Sequence, residues 1–173
     1  MAASTVRTAD VVNSILGIDD DSPIAQLRNQ KPTLVAELQD YYLSIFEPTE
    51  ASAVAFPLVD RALVAIRVAS HTGSTAVATW YEGIARSNGA SNEAIAAALN
   101  VPSSADGESS LDAAFRHADL LTTRPVDARK SDLDALKAAG FTPAGIVSLS
   151  QTIAFVSYQL RLIAGLRAFG GEA

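Results

Sequence analysis

With 173 residues, of which 49% are hydrophobic and 18% charged, the chain is long and apolar enough for one domain built on a sizeable core. A formal charge of −6 with scattered Lys and Arg argues against a nucleic-acid surface, and the absence of cysteine excludes disulfides, thiolate metal ligation and thiol redox cycling. Abundant Ala, short β-branched runs and no hairpin signals between alternating segments favour helix throughout, so the expected class is all-α in a single domain, 1–173.

The N-terminus lacks an apolar signal-type stretch, and Arg67, Arg161 and Arg167 interrupt the longest apolar runs. A cytoplasmic protein without a membrane span is therefore expected. Residues 1–29 read as a helical extension: a short helix with Thr8 as N-cap and Gly17 as stop, then Ser22 capping a second helix with Pro23 at its first position. The run Asp19, Asp20, Asp21 lacks the alternate ligands, central Gly and terminal Glu of a calcium loop. It reads instead as carboxylates favouring a helix N-terminus. From Pro32 a stronger helix, PTLVAELQDYYLSIF, repeats Leu34, Val35, Leu38, Tyr41, Tyr42, Ile45 and Phe46 at three and four residues until Pro48 ends it. Its tyrosine pair is either core packing or a set of polar tips at a pocket or subunit contact.

A central hairpin follows at about 61–87, jointed at His71-Thr72-Gly73-Ser74. Its first arm, Leu58 to His71, is apolar nearly all round, and Asp60, Arg67 and His71 fall close to one stripe. Such a stripe is either a relay into a pocket or a partly buried ion-pair row. Gly73 is the expected stop, and Ser74 the expected cap of Thr75 to Ser87. On that second arm Ser74, Val77, Tyr81 and Ile84 share one face, while Thr75, Thr79, Glu82 and Arg86 form a polar one. Without a Gly-x-Ser-x-Gly elbow or a nearby second His, a nucleophilic role for Ser74 has no local support.

Ser91 caps a short helix through Leu99, and the following stretch to Ser110 is the most loop-like of the chain. Leu111 to Thr123 is amphipathic and carries His117, expected at the surface or in an ion pair. Two histidines at unrelated spacing make no metal site, and neither metal nor cofactor is expected. Ser131 is the expected cap of the next helix, with Gly140 just past its end. Thr142-Pro143 then opens the longest helix, about 143–169, whose apolar residues spread almost all round. A helix of that kind needs cover on every side, so a subunit contact is expected to supply part of it.

The segment ALVAIRVASHTGSTAVATWYEGIARSNGAS resembles the core helical hairpin of the carboxymuconolactone decarboxylase and alkyl hydroperoxidase D-like superfamily. The stretch from His117 to Leu166 resembles the second half of the same superfamily, especially its peroxidase-related branch, so the likeness spans about 30–168. Active peroxidase members carry a Glu, a Cys-x-x-Cys and a His one helical turn beyond it. Here those positions hold Ala62, Ser74, Val77 and Tyr81, although Gly73 and the Gly89-Ala90-Ser91 turn are kept. A serine hydroxyl forms no sulfenic acid and Val77 offers no resolving group, so peroxide reduction by a thiol mechanism is not expected.

The resemblance implies a helical bundle of the alkyl hydroperoxidase D type that is an obligate homo-oligomer. It is expected to bind a small molecule in a pocket lined by His71, Ser74, Val77, Trp80 and Tyr81, or to partner a Cys-containing relative. The alternative is an acid/base decarboxylase or isomerase in which His71 is the base, Arg67 holds a substrate carboxylate and Tyr81 donates a hydrogen bond.

Overall fold

The computed structural model describes residues 10–101 and 109–170, which form ten α-helices and one 3₁₀ turn, with no strand among them. In chain order the helices are α1 (Val11–Leu16), α2 (Pro23–Arg28), α3 (Pro32–Phe46), α4 (Glu50–Ala55) and α5 (Leu58–His71). They continue with α6 (Thr75–Ser87), α7 (Asn92–Leu99), α8 (Ser110–Thr123), α9 (Lys130–Ala138) and α10 (Pro143–Gly170). The class is all-α, with the expected hairpin in α5–α6 and the expected long C-terminal helix in α10.

α5 is the axis, packed against α6, α7, α8 and α10. Every residue from Arg61 to Ala69 is buried, which is what a helix apolar on nearly all sides requires. Two arginines enter this core. Among the described residues Arg61 has no carboxylate partner: its Nε donates to Phe56 O at 2.8 Å, one terminal nitrogen to Ile45 O at 2.8 Å, and the other to Ser52 O and Oγ at 2.7 and 2.8 Å. It thereby closes the carbonyl ends of α3 and α4 with a cation, where helix dipoles favour one.

Several expected boundaries shift. α1 starts at Val11 with the Asp10 carboxylate accepting from Asn13 N at 2.8 Å, so Asp10 is the cap, and Thr8 lies outside the described residues. Most of the loop-like stretch, 102–108, lies outside them as well. Asp20 turns back to accept from Asn13 Nδ2 at 2.9 Å, tying the acidic run to α1 rather than to the start of α2. α9 begins one residue before Ser131, and Asp132 accepts from the Arg129 amide at 2.6 Å, so Ser131 sits inside the first turn instead of capping it. α4 has no counterpart in the sequence reading.

α10 is covered on one side only. Leu149, Ile153, Phe155, Val156, Leu160 and Ile163 are buried, whereas Val147, Tyr158 and Phe169 are exposed by 56%, 45% and 71%. By length and composition this helix could cross a membrane, yet half of its most apolar window is buried inside the fold, as in a core helix. Near its start Gly145 meets α4 so closely that an added Cβ would stand 2.6 Å from Ala55 O.

Candidate functional site

The joint between α5 and α6 is a tight turn. The amides of Thr72, Gly73 and Ser74 return to Ala69 O, Ser70 O and Ala69 O at 3.1, 3.1 and 3.2 Å. Gly73 takes φ +69°, the left-handed conformation that reverses the chain after α5. Ser74 occupies the N-cap position but its hydroxyl makes no cap bond, contrary to expectation. Its backbone differs from that of Ser22, Ser91 and Ser109, whose hydroxyls do cap: they have ψ of 152°, 159° and 160°, while Ser74 has ψ 92°. The first-turn amides of α6 therefore receive no hydrogen bond from the Ser74 hydroxyl.

Beside the joint lies a compact charge cluster. Arg67 grips Asp119 of α8 with two parallel bonds, Nε to Oδ1 and a terminal nitrogen to Oδ2, each 2.7 Å. Its other terminal nitrogen donates to Ala97 O and Asn100 O at 3.0 and 3.1 Å, which fastens the end of α7 to α5. His71 Nε2 lies 2.6 Å from Asp119 Oδ1. A carboxylate clamped by Arg67 only accepts, so His71 Nε2 is the donor of this bond and Nδ1 is the ring nitrogen that Asp119 leaves unused. Arg67 packs over Phe115, 5.3 Å from the ring centre, and is 2% exposed, whereas Asp119 is 25% exposed at its side chain.

Arg67 and His71 are thus brought together as their shared stripe suggested, but through Asp119 rather than Asp60. No sequence pattern marks a contact with a residue 48 positions beyond His71. Asp60 stands apart, and burial pushes its carboxyl pKa up.

The five expected pocket residues occupy separate places. Ser74 lines a cleft of about 510 Å³ between the joint, the end of α8 and the last turns of α10. Trp80 lines a different groove, about 800 Å³, on the other side of α6, and its indole N–H donates to the Tyr42 hydroxyl at 3.2 Å. Val77 and Tyr81 are fully buried in the core. The Tyr81 hydroxyl donates to Gln159 Oε1 at 2.7 Å, and burial raises its pKa well above the ordinary phenol value. His71 belongs to the charge cluster.

His117 departs from its expected surface position. It is 6% exposed, its two ring nitrogens have no hydrogen-bond partner among the described residues, and it lines a small cavity of about 120 Å³ with Asp132 opposite. Burial lowers its pKa, and the nearby Asp132 raises it in part. Among the described residues no three His, Asp or Glu side chains converge as metal ligands. No protein-family model matches the chain, and no curated protein matches it at a significant level.

Proposed function

We propose that this protein is a cysteine-less, non-peroxidatic relative of the carboxymuconolactone decarboxylase and alkyl hydroperoxidase D-like proteins, a cytoplasmic homo-oligomer that binds a small molecule at the α5–α6 joint. The observation that carries this reading is the cleft at the joint, lined by Thr72, Gly73 and Ser74, where the Ser74 hydroxyl makes no cap bond while that of Thr72 is held by Ala69 O at 2.9 Å. The fold class and the hairpin followed by a long terminal helix agree with the resemblance of about 30–168. A Cys-containing relative as partner would supply the thiols that positions 74 and 77 lack.

Two measurements test the reading. Purified protein with an organic hydroperoxide and a dithiol reductant is expected to show no turnover above background, and robust turnover would overturn it. A thermal-shift screen against a library of small organic molecules is expected to give stabilising compounds whose effect disappears in Ser74→Trp, where the indole fills the cleft. Compounds that stabilise both proteins equally would move the site elsewhere.

The acid/base alternative retains support in one observation, the orientation of His71 by Asp119. In that reading His71 Nδ1 takes the proton, but neither of its expected helpers is available. Arg67 is committed to Asp119 and two backbone carbonyls, and Tyr81 to Gln159.

A further inference from the structure

We infer that the ligand of the joint cleft is an amphipathic organic anion, its charged head held between Arg161 and Arg167 and its apolar body lying along α10. This rests on the small-molecule reading above and adds the chemical class. Within a chain of net charge −6, the wall of this cleft contains two arginines and no acidic residue. Among the described residues neither arginine is paired with a carboxylate: Arg167 makes no hydrogen bond or ion pair there, and Arg161 donates only to Ser157 O of its own helix at 2.8 Å. At about 100° per residue they flank the α10 face formed by Leu160, Ala164 and Ala168, so two cations border a shallow apolar floor.

The opposite wall adds donors rather than acceptor-only groups. The Thr122 hydroxyl is buried there without any hydrogen-bond partner among the described residues. An orphaned buried hydroxyl is costly, and a small shift of this wall that opened it to a ligand oxygen would relieve that cost. Ser74 brings a hydroxyl not used for capping and stands at the dipole-positive end of α6. Two cations, two hydroxyls and an apolar floor suit an anionic oxygen head on a hydrocarbon body, and a volume of about 510 Å³ admits a ligand of phenylalkyl size.

Calorimetric titration of the full chain decides the matter, with 4-phenylbutyrate and 2-phenylethyl phosphate as anionic probes and 4-phenylbutyramide as the neutral isostere. At least one anion is expected to bind about tenfold or more tightly than the amide, because its bonds to Arg are charge-assisted. The preferred anion tells carboxylate from phosphate. Arg161→Gln and Arg167→Gln are each expected to weaken the anion several-fold and leave the amide unchanged, a split that general unfolding would not produce. Equal binding of amide and anions would overturn the anion assignment while preserving a ligand-binding cleft. No binding of any probe would overturn the assignment and leave the library screen to judge the broader reading. Anion affinity indifferent to both arginine substitutions would overturn it as well.

Discussion

Buried charge at single residues is where this fold is most exposed to change. Arg61 satisfies the carbonyls of Ile45, Ser52 and Phe56 from a position 2% exposed, so removing it strands acceptors at the ends of two helices. Arg61→Leu is expected to lose about 3–5 kcal/mol in urea denaturation, and Arg61→Lys to recover less than half, since one ammonium does not reproduce the fork. His117 makes the opposite kind of demand. Its pKa in the fold is depressed below the ordinary 6.5 by burial, so as pH falls through 6.5 the unfolded chain takes up the proton first. Stability is therefore full above that value and declines as pH drops toward the folded value. Urea midpoints at neutral and mildly acidic pH are expected to fall more steeply for the native protein than for His117→Gln; identical slopes would refute the account. Neither role was legible beforehand. Nothing local pairs Arg61 with carbonyls five and sixteen residues upstream, and His117, expected at the surface or in an ion pair, is buried because α9 packs across it.

At the scale of elements, periodicity fixed what is local. α3, α5 and α6 begin and end where their apolar repeats and turn residues indicate, because those signals lie within each segment. α4 escaped notice because EASAVA has one turn and a half, no side-chain cap bond and no buried residue. Long-range pairings escaped too: the Arg67–Asp119–His71 cluster joins helices nearly fifty residues apart. The joint lies where Gly73 predicts a turn, and Ser74 takes the N-cap position expected of it but without the side-chain bond that its residue type predicts. Two glycines of α10 show how context decides a substitution. At Gly145 an added methyl meets backbone oxygen of α4 at 2.6 Å, so Gly145→Ala is expected to cost about 1–3 kcal/mol by forcing two helices apart. At Gly165 nothing lies within 4 Å, and Gly165→Ala is expected to stabilise by about 0.5–1 kcal/mol through helix propensity alone. Thermal melts of the two variants should shift in opposite directions.

For the whole molecule, the question is what covers the outer side of α10. Eleven residues, about three helical turns, separate Val147 from Tyr158 and Tyr158 from Phe169, so the three exposed side chains stand in one line along the helix. Beside them α3 exposes Leu34 and Tyr41, and the Tyr41 ring meets Phe155 of α10 edge-on at 5.1 Å, which makes the two helices one surface. Scattered apolar residues are normal on a monomer, but a line of large ones over three to six turns of a helix is the pattern of a buried contact. The proposed homo-oligomer buries this line between copies. Sedimentation is then expected to give a closed oligomer for the native protein, and Tyr158→Lys, which sets a charge in the middle of the line, to shift it toward monomer and make the melting temperature independent of concentration. Arg161 stands at the edge of the same line and in the wall of the joint cleft, so the contact would also narrow the cleft mouth. A native protein that sediments as a monomer at about 100 μM, a concentration at which a contact of even micromolar affinity is filled, would remove this assembly from the proposal.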